Sequence, residues 1–191
     1  MSSLPEVREL LGDCQRCELA ASRTTLVFGA GNPEADIVLV GEAPGAREDA
    51  RGIPFVGAAG KLLDAMLERI RLSREDIYIA NVLKCRPPGN RDPRPEEIET
   101  CIPFLWDQLD AIRPRVVGTL GNFAARVLLQ TREGVTRLRG RTFDVRGWTV
   151  VPMYHPAAAL HNGSLRPEVE RDFRRLQAVC NGEALDPAPE G

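Results

Sequence analysis

The stretch ADIVLVGEAPG, residues 35–45, decides the fold. Its first part, ADIVLVG (35–41), is an apolar run that ends in glycine, which is typical of a strand buried on both faces of a parallel sheet. The run then breaks into the loop GEAPG (41–45), where glycine and proline interrupt the strand. The stretch therefore predicts a central strand followed by a loop whose backbone can approach a ligand closely.

Further strands are predicted in the rest of the chain. Apolar runs indicate strands at 77–84 and 115–121. The segment RTFDVRGWTVVPMYHP predicts a hairpin that turns at Arg146 and Gly147 into a strand ending just before His155.

Helical patterns alternate with these strands. Periodic apolar residues predict helices over 58–71, 95–112, 122–130 and 166–179. We expect Pro103 to kink or restart the second helix, and Asn122 to lie near the cap of the third. The alternation predicts an α/β fold, a three-layer sandwich with a mostly parallel central sheet.

The composition narrows the class of protein. A chain of 191 residues can bury one sizeable core, so we expect a single domain over 1–191 with a disordered tail from about 181. The hydrophobic share of 43% and the charged share of 27% exclude disordered, fibrous and membrane-spanning classes. The first twenty residues lack an apolar signal core, so we expect a cytoplasmic protein. The net charge of -2 excludes bulk attraction to nucleic acid, which leaves only a local basic patch.

Polar residues or glycines follow four of the predicted strands. They are Gly41 and Glu42, Asn81, Gly121 and Asn122, and His155. Taken singly, Asn81 fits a satisfied structural amide and His155 a structural histidine. Because parallel sheets bind ligands beyond the carboxyl ends of their strands, their joint placement predicts a functional site at that edge.

The five cysteines suggest ligands or free thiols rather than disulfides. Cys14 and Cys17 form a C-x2-C pair, Cys85 and Cys101 enclose fifteen residues, and Cys180 stands alone. The pairs fit a zinc or iron-sulfur site, but they also fit a redox or chance pair with Cys101 as a buried thiol. Spacing alone leaves these alternatives open.

Five motifs, taken with four of the cysteines, resemble the family 4 uracil-DNA glycosylases, which are iron-sulfur enzymes of thermophilic bacteria and archaea. The motifs are GEAPG (41–45), RGIPFVG (51–57), IYIANVLKCRPPGNR (77–91), LGNFA (120–124) and HPAAAL (155–160). They occur in the order found in the family and cover nearly the whole chain.

The resemblance implies a DNA repair enzyme. Such an enzyme flips uracil out of single- or double-stranded DNA and hydrolyses its N-glycosidic bond, leaving an abasic site. The resemblance also implies a four-iron, four-sulfur cluster held by Cys14, Cys17, Cys85 and Cys101. We expect a monomer with no membrane association. The alternative is a catalytically silent nucleic-acid-binding module with a structural cluster.

The resemblance also implies roles for individual residues. The catalytic residues would be Glu42 and His155, and the substrate-binding residues Gly41, Glu42, Ala43, Phe55, Asn81 and His155. Asn81 would pair with uracil N3-H and O4 while Phe55 stacks on the ring, and His155 would stabilise the departing anion at O2. Leu160 would wedge into the base stack.

Two positions depart from the better-known family 1 pattern. Ala43 stands where family 1 carries the aspartate that orients water, so the candidates for that role are Glu42, Glu48, Asp49 and Asn90, with Glu42 first. Gly45 stands where family 1 has a bulky residue against the thymine methyl group.

Clustered arginines are candidates for DNA contact, although any single one also fits a solvated surface. They are Arg132, Arg137, Arg139 and Arg141 before the hairpin, and Arg86 and Arg91 in the cysteine loop.

Overall fold

A computed structural model describes residues 2–183 of the chain. The sequence predicts a disordered tail from about residue 181, and residues 184–191 of that tail lie outside the described residues. Within 2–183, no helix is both long and apolar enough to cross a lipid bilayer.

One sheet organises the described part of the chain. Its strands are β1 (Ala30–Gly31), β2 (Ile37–Gly41), β3 (Tyr78–Asn81), β4 (Val116–Leu120), β5 (Phe143–Val145) and β6 (Trp148–Met153). They lie in the order β1-β3-β2-β4-β6-β5. The four central strands are parallel, while β1 and β5 pair antiparallel at the edges. The predicted α/β fold with a mostly parallel sheet is confirmed.

Helices connect and cover these strands. They are α1 (Leu4–Leu11), α2 (Leu19–Ser22), α3 (Ala46–Arg51), α4 (Ala58–Arg69), α5 (Pro95–Ile112), α6 (Gly121–Leu129), α7 (Val135–Leu138), α8 (Pro156–His161) and α9 (Arg166–Cys180). The sequence predictions missed α1, although its start carries a recognisable capping box in which Ser3 and Glu6 bond reciprocally. Short helices such as α3 and α7 were also missed, since they hold too few residues to show a period.

The core has a layer on each face of the sheet. On one face, Val38 and Val40 of β2 join Leu105 and Leu109 of α5 in one apolar cluster. On the other face, Ile37 and Leu39 join residues of α4 and α9, among them Leu63, Met66 and Phe173. Alternate side chains of one strand thus enter both layers, which explains the continuous apolar run of residues 35–41.

One local prediction was wrong, and the structure gives more specific outcomes for two others. The predicted strand 77–84 ends at Asn81, although the main chain beyond it stays paired: Val82 donates to the carbonyl of Gly41 at 2.9 Å. Helix α5 runs as one element through Pro103, which does not restart it. Asn122 lies near the cap of α6 as predicted, two residues after the N-cap Leu120, and its side chain accepts the main-chain N-H of Val135 at the start of α7 (2.6 Å).

Arg139 is a structural residue rather than part of a DNA-binding patch. Its Nε donates to both carboxylate oxygens of Asp172, at 2.9 and 2.8 Å, and Asp172 also accepts the main-chain N-H of Tyr154 at 2.8 Å. Both side chains are largely buried, with 13% and 4% exposed. The pair therefore joins α9 to the end of β6, next to His155. The other arginines of that cluster, Arg132, Arg137 and Arg141, are exposed.

Replacing Asp172 tests this assignment. We expect Asp172→Ala to lower the free energy of unfolding by about 1–3 kcal/mol, because the Arg139 Nε and the main-chain N-H of Tyr154 lose their buried acceptor while Glu168 still pairs with the guanidinium. Urea unfolding measures the change, with the exposed Arg132→Ala as the control, expected within about 0.5 kcal/mol of the unaltered protein. Equal stability of the two variants would contradict the structural role.

Candidate active site

A pocket of about 450 Å³ opens at the carboxyl ends of the central strands. Its walls include the predicted residues Glu42, Ala43, Phe55, Asn81 and His155. The structure therefore brings together side chains that follow β2, β3 and β6, as expected for a parallel sheet.

Asn81 presents an unused hydrogen-bond acceptor. The residue is 2% exposed, and its Oδ1 atom has no hydrogen-bond partner in the described part of the chain. A buried polar atom without a partner costs free energy unless a ligand satisfies it. The Asn81 carbonyl oxygen is thus set up to accept a hydrogen bond from a ligand in the pocket.

Gly41 lies beneath the pocket rather than in its wall. A Cβ at this position would collide with Asn81 Oδ1 and lie 2.9 Å from the ring of Phe55. The absence of a side chain at Gly41 therefore leaves room for the ring and the amide, while its contact with substrate stays a prediction.

Phe55 lies in a loop that is held from both sides. Its φ of 55° is left-handed, which is costly for a residue with a side chain. The Glu48 carboxylate compensates by accepting the main-chain N-H groups of Val56 and Gly57, at 2.8 and 3.0 Å. Arg74 donates to the carbonyls of Pro54 (3.0 Å) and Phe55. The ring consequently stacks on His155, with centroids 5.5 Å apart and planes at 27°.

His155 is a neutral hydrogen-bond donor. Its Nδ1 atom accepts the main-chain N-H of Ala157 at 3.0 Å, which assigns the proton of the neutral ring to Nε2. Burial lowers the pKa of His155 to about 4, so the ring carries no charge at neutral pH. Gly121 allows its close approach, since a Cβ there would lie 3.1 Å from the Cβ of His155.

Glu42 is the one candidate for positioning water whose carboxylate accepts no hydrogen bond within residues 2–183. Burial, with the nearby Asp92 charge, raises its pKa above the ordinary value. By contrast, Glu48 holds the Phe55 loop, and Asp49 accepts the main-chain N-H of Thr24 at 2.9 Å.

The remaining candidates are also placed. Asn90 lines the pocket but accepts a hydrogen bond from Arg86 at 2.7 Å. Arg91 also lines it, and pairs with the buried Glu97 at 2.5 Å. Gly45 borders the pocket, where a Cβ would lie 2.9 Å from Glu48 Oε2. Leu160 stands outside the pocket on α8, 50% exposed.

Four cysteines line a second cavity together with Leu83 and Lys84. They are Cys14, Cys17, Cys85 and Cys101, while Cys180 lies in the other core layer. Arg23 donates to the Cys85 sulfur at 3.4 Å, and the main-chain N-H of Lys84 donates to the Cys101 sulfur at 3.3 Å. Burial raises the pKa of Cys85 to about 11, so a bound cation would be needed to hold this thiol as a thiolate at neutral pH.

The spacing of these sulfurs bears on which group they fit. Among residues 2–183, no three Cys, His, Asp or Glu side chains are gathered closely enough to hold a single metal ion. In a four-iron cluster each cysteine binds a different iron, so its ligands stand farther apart than around one zinc ion. The four thiols line one cavity and two N-H groups donate to their sulfurs, which is compatible with an iron-sulfur cluster.

Comparison with known proteins identifies the family. The uracil DNA glycosylase superfamily matches residues 28–177. The chain belongs to this superfamily. It is 48% identical to a Type-4 uracil-DNA glycosylase of Archaeoglobus fulgidus, over 94% of each chain. It is 41% identical to a Type-4 uracil-DNA glycosylase of Thermotoga maritima, over 93% of this chain and 94% of the relative. A Type-5 uracil-DNA glycosylase of Pyrobaculum aerophilum is more distant, at 32% identity over 80% and 75%. The resemblance seen in the sequence is confirmed.

The neutral state of His155 can be measured by NMR. We expect its ring to titrate near pH 4 with the proton on Nε2, because burial disfavours the charged form. Below the unfolded histidine value of 6.5, the unfolded chain takes up a proton that the folded ring refuses, so this residue lowers stability as pH falls from 6.5 toward 4. The spectrum of His155→Gln assigns the signal. A midpoint near 6.5 in the folded protein would contradict the assignment.

Proposed function

We propose that this superfamily member excises uracil from DNA with the residues of the pocket, leaving an abasic site. The observation that carries the proposal is the buried Asn81 carbonyl oxygen, which lacks a partner and borders the pocket together with Phe55. The names and the similarity of the Type-4 relatives support the same activity.

The Asn81 amide can distinguish uracil from cytosine. Its Oδ1 accepts the N3-H of uracil and its Nδ2 donates to O4, so both groups are used. Cytosine has no proton on N3 and carries an amine in place of O4, which would leave the buried amide mispaired. A site of this kind rejects the wrong base strongly.

Phe55 and Leu160 would stabilise a uracil base that is flipped out of the DNA stack. The ring of Phe55 provides an apolar face on which a flipped base can stack. Leu160 is exposed on α8, where it can fill the gap that the base leaves in the helix. Unstacking a base costs a few kcal/mol, which such a wedge offsets.

His155 supports cleavage of the bond between C1′ of the sugar and N1 of uracil. As this bond breaks, its electron pair stays with the base and negative charge develops on O2. The Nε2-H of the neutral ring donates to that oxygen and binds the charge more strongly than it binds the intact substrate. One such donor lowers the activation free energy by about 3 kcal/mol. Main-chain N-H groups of the loop at Glu42 and Ala43 would add to this stabilisation.

Glu42 would complete the hydrolysis. The carboxylate accepts one proton of a water molecule whose oxygen forms the new bond to C1′, so the sugar gains a hydroxyl group and the base leaves as an anion that is protonated afterwards. Glu42 would thus orient the water molecule, a role that in family 1 belongs to an aspartate at the position of Ala43.

The second cavity would hold a four-iron, four-sulfur cluster through Cys14, Cys17, Cys85 and Cys101. When bound, the cluster would cross-link the N-terminal segment to Cys85 and to Cys101 at the start of α5, and such ligation would add to the folding free energy. In this proposal the cluster supports the loop that borders the active site.

The catalytically silent binding module, which the sequence left as an alternative, is not favoured. The Type-4 relatives cover nearly the whole chain, and Glu42 supplies a free carboxylate despite the alanine at position 43.

The test uses a uracil-containing oligonucleotide followed by alkali, which breaks the strand at abasic sites. The unaltered protein should break the strand at uracil. In Asn81→Asp, O4 of uracil faces a carboxylate instead of an N-H donor. Leaving a buried polar group unpaired costs about 1 to 3 kcal/mol, so uracil excision should slow at least about 5- to 150-fold. Weak excision of cytosine, whose amine matches that carboxylate, would accompany it.

Glu42→Gln is the matched control for this change. It should slow hydrolysis without altering which base is chosen, because Glu42 acts on the sugar side. Full uracil activity in Asn81→Asp would remove Asn81 from base recognition, and binding of DNA by the unaltered protein without any strand break would support the silent module.

Metal analysis tests the cluster. We expect about four iron atoms per chain and a brown colour with broad visible absorption, because thiolate-bound iron-sulfur clusters absorb there and zinc sites do not. Cys85→Ala should lose the absorption and lower the melting temperature, whereas Cys180→Ala should keep the iron. Equimolar zinc without iron would contradict the proposal.

A further inference from the structure

Lys84 is an unusual residue in this molecule. It is one of only two lysines, it lies between Asn81 and the cluster ligand Cys85, and it is 0% exposed. Burying an ammonium group is costly unless its three donors are used. Within residues 2–183 no carboxylate forms a salt bridge with Lys84, so ion pairing does not explain why it is buried, and its acceptors are neutral oxygens instead.

The side chain of Lys84 fixes the main chain of the base-reading segment. Its Nζ donates to the main-chain carbonyl of Asn81 at 2.7 Å and to Oε1 of Gln108 at 2.6 Å. Gln108 of α5 is itself held by donating to the carbonyl of Phe28 at 2.9 Å. The ammonium group thus ties the end of β3 to a rigid helix.

The main chain of Lys84 makes the second connection. Its N-H donates to the sulfur of Cys101, in the cavity lined by the four cysteines. One residue therefore contacts both the segment that carries the base-reading amide and the proposed cluster site.

The Asn81 side chain needs this support. Its Oδ1 has no partner, and in the described residues its amide nitrogen donates no hydrogen bond, so its direction follows from its own main chain and from packing against Gly41 and Phe55. A recognition group must stay within about 0.5 Å of its working position to be effective.

We propose that Lys84 is a positioning residue that holds the Asn81 amide toward the base and connects it to the cysteine site. The inference rests on the proposed function, since it assumes that Asn81 reads uracil. It assigns Lys84 to recognition of the base, and not to contact with DNA or with the reacting atoms.

The test is Lys84→Met, which keeps the length and the apolar stem of the side chain but removes its donors. Two ligands separate base recognition from DNA binding: free uracil as an inhibitor, and DNA that contains an abasic site. We expect inhibition by free uracil to weaken about tenfold, with a similar fall in single-turnover excision, and binding of abasic DNA to stay within about twofold. A residue that only stabilises the fold would lower the melting temperature without changing the affinity of the folded protein for uracil.

Two further variants complete the experiment. Gln108→Leu removes one acceptor of the Lys84 ammonium group without altering Asn81. It should therefore weaken inhibition by uracil, but less than Lys84→Met does. If Lys84→Met does not fold, Gln108→Leu alone tests the role of Lys84 in positioning Asn81. Lys61→Met, at the exposed other lysine, is the matched control and should behave as the unaltered protein.

The outcomes are distinct. Uracil inhibition at the unaltered level in Lys84→Met, or in Gln108→Leu if only that variant folds, would overturn the inference and leave the proposed function intact. An unaltered protein that neither excises uracil nor binds it would overturn the proposed function, and the inference with it.

Discussion

Gly41 and Asn81 lie opposite each other at the ends of two parallel strands, and the arrangement of the site depends on this pairing. Because position 41 has no side chain, the ring of Phe55 and the amide of Asn81 share the space above it. The ring in turn stacks on His155, which follows the more distant strand β6. A local contact between two neighbouring strands thereby sets the distance between groups that come from three parts of the chain.

Burial acts on the two candidate catalytic groups of the pocket in opposite directions. It raises the pKa of an acid, as at Glu42, and lowers that of a base, as at His155, because in each case the charged form loses hydration. At neutral pH the pocket therefore contains an uncharged histidine donor, and Glu42 holds a proton more readily there than an exposed glutamate does. This combination suits a reaction in which the sugar becomes positive, because it adds no cation to the pocket.

Much of the site could be predicted from the sequence because Asn81 and His155 each follow an apolar run, and the ends of parallel strands meet at one edge. Arg74 and Lys84 could not be found in this way. Arg74 and Lys84 both donate to main-chain carbonyls, and a carbonyl occurs in every residue, so it leaves no mark in the sequence. The carbonyls that accept from Arg74 also lie 14 to 20 positions away in the chain. Arg139 was assigned to a surface patch because its neighbours in sequence are basic, whereas its partner Asp172 lies 33 positions further along. Such errors arise where a tertiary contact outweighs the local pattern.

Helix α8 has a mechanical consequence. His155 caps its start and Leu160 lies five residues on, a separation of about 7.5 Å along a helix that is too short to bend. The short helix holds these two residues at a fixed separation. In the proposed mechanism, a leucine that enters the DNA and an imidazole that contacts the base would therefore be positioned together, as parts of one rigid element.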